Sequence, residues 1–224
     1  MMKRSCVLGM AVVLALGCLL PAYAGQAAPA GESRVVKLPP PRMEGGRPLM
    51  EVLKARHSSR EFKPEKLSPQ VLSDLLWAAD GINRPASGDR TAPSSHNIQN
   101  IILYVVLAEG VYTYDPAKNS LDPVVEGDLR SVAGTQDFVK TAPLNIVYVA
   151  DFSKIQRGDE ATKMWVSAAH VGFIAQNVYL FCASEGLAVV VRAMIDRETV
   201  TRAFKLGPDL RPVLAQTVGY PAAK

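Results

Sequence analysis

An α+β domain, with helices packed on one mainly antiparallel sheet, is the fold class this sequence predicts. The stretch IILYVVLAEGVYTYD holds two β-rich runs, Ile101 to Leu107 and Val111 to Tyr114, around Glu109-Gly110, as a hairpin does. The stretch MWVSAAHVGFIAQNVYLFCASEG is apolar on almost every face and ends on Gly186, as a long buried core helix with a glycine C-cap does. Shorter strand and helix runs are scattered around these two, with no internal repeat. At 224 residues, 48% hydrophobic and 21% charged, the chain is long and apolar enough to bury a full core as one domain.

The N-terminus begins with Lys3 and Arg4, continues through an apolar run from Cys6 to Leu20, and closes on Ala22, Tyr23 and Ala24. That order is a secretory signal peptide over residues 1–24, cut after Ala24, and it predicts a periplasmic or secreted protein. Lipoprotein processing at Cys18 is the weaker alternative, because Ala15 stands where leucine is usual. No Arg-Arg pair precedes the apolar run, so export as an unfolded chain is expected, with any cofactor loaded outside. Cleavage takes the 25 basic residues to 23 against 21 acidic ones, and the formal charge from +4 to +2, which does not point to nucleic acid. It also removes Cys6 and Cys18, so Cys182 alone remains and no intrachain disulfide can form. The Ala-, Gly- and Pro-rich stretch 25–42 is expected as a flexible leader, with the domain spanning 43–224.

Within the domain, Leu49, Met50, Val52 and Leu53 lie at helix spacing. Ser68-Pro69 supplies a cap and first-turn proline for VLSDLLWAAD, which Gly81 stops. After the hairpin come a strand at Leu144 to Ala150, the long helix, a strand at Leu187 to Val191, a helix opened by Asp196 and closed by Gly207, and a strand at Val213 to Val218. The long helix has the length of a membrane span, but Ser167, His170, Gln176 and Asn177 interrupt it and no basic cluster flanks it, which favours the core.

Two polar clusters stand out. In ARHSSREF, residues 55–62, Arg56 and Arg60 would share a face of a continuing helix, with Ser58 and Ser59 adding hydroxyl donors suited to a phosphate monoester. Taken alone, a solvated helix end explains the octapeptide better. In APSSHNIQN, residues 92–100, amides that donate and accept at once suit the edge of a heterocycle, and a capped polar loop is the plainer reading. Ser94, Ser95 and His96 lack the elbow of a serine hydrolase. The three histidines have no metal-site spacing, no GxGxxG follows a strand, and Cys182 reads as an inert core thiol.

Three motifs in order resemble the nitroreductase-like FMN oxidoreductases over Arg47 to Pro221: RHSSREF resembles the opening RxSxRxF, PSSHNIQN the PSxxNxQPW loop, and EGLAVVVRAMIDRETVTRAFKLGPDLRPVLAQTVGYP the closing pattern ending in GYP. The resemblance implies that Arg56 and Arg60, helped by Ser58, hold the phosphate and pyrimidine side of FMN, with His57 a helix-end residue or flavin neighbour. It places Asn97 at the isoalloxazine ring, with Ser94, Ser95 and Gln99 in the same loop. It also implies a homodimer with the flavin at the interface, and a backbone N–H within Ala193, Met194 and Ile195 facing flavin N5.

Asn100 and Ile101 depart from the usual Pro-Trp, which suggests a more polar pocket. Arg192 stands where an apolar residue is common, and Arg192 or Arg202 could complete the phosphate site in place of the relatives' C-terminal cation. The absence of a catalytic acid or base fits a cofactor that carries the electrons itself. The expected activity is redox chemistry on a small nitro, quinone or azoline substrate stacked on the flavin, with NAD(P)H or a periplasmic redox partner as electron donor. An exported flavin-binding or carrier protein without turnover is the alternative.

Overall fold

The structure, a computed structural model, describes residues 34–222. The expected signal peptide and the leader as far as residue 33 lie outside the described residues. In chain order the elements are β1 (Val36–Lys37), α1 (Leu49–Ala55), α2 (Pro69–Asp80), β2 (Ile82–Arg84), β3 (Asp89–Arg90), β4 (Ile101–Val106), β5 (Gly110–Asp115), β6 (Ser120–Glu126), β7 (Leu144–Asp151), α3 (Glu160–Glu185), β8 (Ala188–Arg192), α4 (Arg197–Ala203) and β9 (Leu210–Gly219). Seven strands form one sheet in the order β1-β6-β5-β4-β7-β9-β8, every pair antiparallel, and β2 and β3 form a small separate ribbon.

Side chains of this sheet alternate between two buried cores. Leu103, Val105, Ile146, Tyr148 and Val189 face α2 and α3, while Tyr104, Val106, Val147, Val149 and Ala215 face α4 and the 130–140 segment. A strand covered on both faces has no polar side, which is why β7 is buried from Leu144 through Ala150. The helices start where hydroxyl and carboxylate side chains accept orphan N–H groups: Ser68 from Val71, Asp159 from Thr162, and Asp196 from Glu198 and Thr199. Gly186 closes α3 in the left-handed conformation, as the sequence predicts. The Asp196 helix ends at Ala203, before Gly207.

The end of the expected leader is tied to the domain in the structure. Val36 and Lys37 pair with Leu121 and Ser120, Leu38 is buried, and Arg42 gives both its backbone N–H and Nε to the buried Asp74 carboxylate. The sheet edge at β6 and the carboxylate at Asp74 each need a partner, and this segment supplies both.

The long helix packs on the core as expected, and it does so by one face. One face, including His170, Val171, Ile174, Val178, Tyr179 and Cys182, packs inward. The opposite face is exposed and still apolar, presenting Trp165, Ala168, Ala169, Gly172 and Phe173, with Trp165 73% and Phe173 47% exposed. A helix that is apolar all round is half explained by the core beneath it, and its other half remains uncovered in a single chain.

Candidate functional site

The opening motif is not helical past its first residue. The helix α1 ends at Ala55, and Arg56 caps it with its N–H on the Val52 carbonyl before turning to an extended ψ of 119°. Arg56 and Arg60 therefore do not share a helix face as expected. In extended chain alternate residues share a side, and Arg56 and Ser58 both address Tyr179: the guanidinium lies 5.2 Å from its ring centroid and Ser58 Oγ lies 2.8 Å from its hydroxyl. The backbone departs from helix because Ser59 donates to the Val189 carbonyl, and Phe62 and Lys63 then bridge to Pro221 and Tyr220. The motif thus covers the open edge of the sheet at β8.

Tyr179 is the hub. Its hydroxyl also accepts from the Val191 N–H at 3.0 Å. Val189 and Val191 therefore turn their outward backbone groups to the motif, and by strand alternation the next outward residue is Ala193, just beyond β8. Ala193 and Met194 are exposed, while Ile195 is buried and spends its N–H on the Ala193 carbonyl, leaving the first two to face a ligand. Gly219 of the terminal GYP permits this closure, since a Cβ there would stand 2.8 Å from Pro143 and 3.3 Å from Phe62.

The second loop, 92–100, sits elsewhere. His170, 3% exposed, accepts the Ser95 N–H at Nε2 (2.8 Å) and holds Asn100 Oδ1 with Nδ1 (2.7 Å), while Asn100 Nδ2 donates to Ser167 Oγ. Asn100 is thus a buried anchor onto α3 and does not make the pocket polar. Ser94 Oγ accepts the Gln99 N–H, Asn97 donates to Asp89, and the Gln99 amide bridges Arg90, Gly88 and Asn97. These bonds hold His96, Asn97 and Gln99 at φ values of 50°, 53° and 46°, a left-handed conformation that non-glycine residues adopt only under local constraint. The Asn97 amide retains one N–H and one lone pair beyond these bonds.

Tyr179 stands about 13 Å further along α3 than His170 at 1.5 Å per residue. The two sit at opposite rims of the buried face, so the two donor clusters flank the exposed apolar stripe instead of meeting in one chain. Cavities of about 610 and 540 Å³ lie beside β1 and under the 42–47 segment, away from both arginines, and one of about 560 Å³ lies against Ser95, His96 and Ile98 of the second loop.

Two charged side chains have moved relative to expectation. Arg192 points away from the motif, beneath the sheet, with Nη1 on the Ala133 carbonyl and Nη2 on Asn145 and Thr217. Arg202 is exposed on α4 and reaches Thr199 of the same helix. Neither reaches the Arg56 cluster. Burial pushes the Asp80 carboxyl up to about 7 against the pull of Arg90, and burial lowers His170 below its ordinary value. Tyr179 and His170 are the residues that sequence reasoning missed as site organisers. Their partners lie far off in the chain, and the only local signal was a hydroxyl and an imidazole interrupting an apolar helix.

The residues present fit an anionic cofactor. Arg56 and Arg60 have no carboxylate within ion-pair distance among the described residues, two serines stand between them, and exposed backbone follows β8 at the same edge. Unpaired guanidiniums and hydroxyl donors are the groups that take up a phosphate.

The chain belongs to the nitroreductase family, whose model matches residues 53–220, and that membership makes it an oxidoreductase of α+β fold. Among individual proteins, one from Methanocaldococcus jannaschii described as a nitroreductase is 34% identical over 163 residues, covering 67% of this chain and 81% of that one. The crystal structure of a Ralstonia eutropha protein described as a nitroreductase superposes with a TM-score of 0.81 at 43% identity, over 87% of this chain and 93% of that chain. A chain of the Escherichia coli microcin synthetase complex shares the fold, with a TM-score of 0.64 at 18% identity over 94% of this chain and 85% of that one.

Proposed function

We propose that the protein is an FMN-dependent oxidoreductase that works as a homodimer on a small organic substrate of nitro, quinone or azoline type. The observation that carries this reading is the Ser58–Tyr179–Val191 chain, which ties an unpaired arginine motif to the strand end where Ala193 and Met194 expose their backbone. Arg56 and Arg60 take the cofactor phosphate, with Ser58 and Ser59 completing its donors. The Ala193 or Met194 N–H takes the ring nitrogen N5. The 92–100 loop of a second copy, anchored by His170 and docked across the α3 stripe, supplies the opposite wall through Asn97. Bound FMN supplies two-electron transfer between donor and acceptor, and the chain binds, orients and excludes water around it.

Replacing Arg56 with alanine removes a charge-assisted contact and is expected to weaken FMN binding by about 2–4 kcal/mol, followed by quenching of flavin fluorescence on titration. Unchanged affinity would leave the motif only its structural role of covering the β8 edge. Export through residues 1–24 is part of the same proposal, supported by Lys3, Arg4 and the apolar run that follows. A reporter enzyme fused behind residues 1–30 is expected to be active outside the cytoplasm. Cytoplasmic retention would leave NAD(P)H as the simplest electron donor.

A further inference from the structure

Arg192 is the most unusual charged residue of the domain. It is 5% exposed and has no carboxylate partner among the described residues, and its Nε is buried without any hydrogen-bond partner. Its other nitrogens rest on neutral oxygens, and its guanidinium stacks 5.8 Å from the Phe138 ring centroid. The nearby charges of that segment, Asp137 and Lys140, pair with each other in solvent. A full positive charge is thus held, uncompensated, in the low-dielectric interior. Burial lowers its pKa only to about 10, so it stays charged at neutral pH.

The position of the charge shows what it can act on. A Cβ on Gly134 would stand 1.9 Å from Arg192 Nη1 and 3.2 Å from the Met194 carbonyl oxygen, so the guanidinium and the Met194 peptide meet at the same point. A side chain at Gly134 would push the guanidinium from this place. Thr135 donates to the same Met194 carbonyl, which clamps the segment over the arginine. Leaving such a charge unpaired costs stability, and a buried apolar residue would fit the Phe138 side without that cost. Of its polar partners, Thr217 Oγ1 already donates to Asn145 Oδ1 and Asn145 Nδ2 to the Val139 carbonyl, so the Ala133 carbonyl is the one that depends on the arginine.

We propose that Arg192 is a positioning charge that sets the reduction potential of the flavin held at Ala193 and Met194, by favouring its anionic reduced form. This rests on the flavin reading above. Two electrons taken up with one proton leave the ring one negative charge richer, and a fixed buried cation beside it stabilises that product over the oxidised ring. The arginine acts through space from beneath the strand end, without touching substrate.

The test is a dithionite titration of the FMN-loaded dimer against a reference dye. Wild type is compared with Arg192→Gln, which retains amide donors without charge, with Arg192→Met, and with Arg192→Lys, which retains the charge. Gln and Met are expected to bind reduced flavin at least tenfold more weakly relative to oxidised flavin, a fall in midpoint potential of about 30 mV or more for a two-electron couple. Lys is expected to stay near wild type. Equal potentials in wild type and Gln, both carrying flavin, would overturn the role of the charge. Failure of wild type to hold flavin at all would instead overturn the flavin reading, so the two failures are distinct. If Met does not fold, the Gln and Lys pair still decides.

Discussion

Replacing Trp165 and Phe173 together with aspartate is expected to turn the proposed homodimer into a monomer and to abolish its proposed binding of FMN. Both side chains stand on the exposed face of α3, at 73% and 47% exposure, with Ala168, Ala169 and Gly172 between them, so the helix presents two aromatic knobs over a shallow small-residue floor. In a two-fold interface each substitution counts twice, and a buried aromatic anchor is commonly worth about 2 kcal/mol or more. A carboxylate in its place adds a desolvation cost. The dimer dissociation constant should therefore rise by about a thousandfold or more. Sedimentation velocity at micromolar concentration reads the first effect and visible absorbance the second. The thermal unfolding of the monomer should be little changed, because neither side chain belongs to the core of residues 34–222. A variant that stays dimeric would show that the copies meet elsewhere, and one that turns monomeric yet keeps its flavin would show that one chain's donors suffice.

The elements legible in the sequence are those whose signals are local. Ser68-Pro69 and Gly81 bracket α2, Asp196 opens α4, and the hairpin turns at Glu109-Gly110, because caps and turns are made by the residues beside them. The strand β6 was invisible for the same reason inverted: SLDPVVE contains Asp122 and Pro123, which argue against a strand, yet Pro123 sits opposite Tyr112 next to the register shift between Val111 and Tyr112, where the ladder is already interrupted. The residue types of the site were legible and its geometry was not. Nothing local says that Ser59 gives its N–H to Val189, or that this contact stops a helix from carrying Arg56 to Arg60. Hydropathy along the long helix cannot separate a face buried within one chain from a face left for another.

Replacing His170 with phenylalanine is expected to destabilise the protein by about 2–4 kcal/mol in urea denaturation, because two bonds of the loop anchor vanish at once and the fully buried Asn100 carbonyl loses its partner. The Ser95 N–H needs an acceptor, so Nε2 must be unprotonated and the ring proton must sit on Nδ1, facing Asn100. Only neutral imidazole satisfies both, and burial alone already lowers its pKa below the ordinary 6.5. The unfolded chain then takes up a proton as pH falls through 6.5 while the folded chain does not, so the stability held at His170 drains from that point downward until the folded pKa is passed. Asp80 works in the opposite sense: raised to about 7, its folded carboxyl keeps its proton over a range where the unfolded one has lost it, and its contribution is lost as pH rises towards 7. The wild-type profile mixes the two groups. The difference between wild type and His170→Phe isolates one, and it should be largest near pH 7.5 and shrink by pH 5. A difference that stays constant across that range would mean that His170 holds the loop by packing, with its proton playing no part.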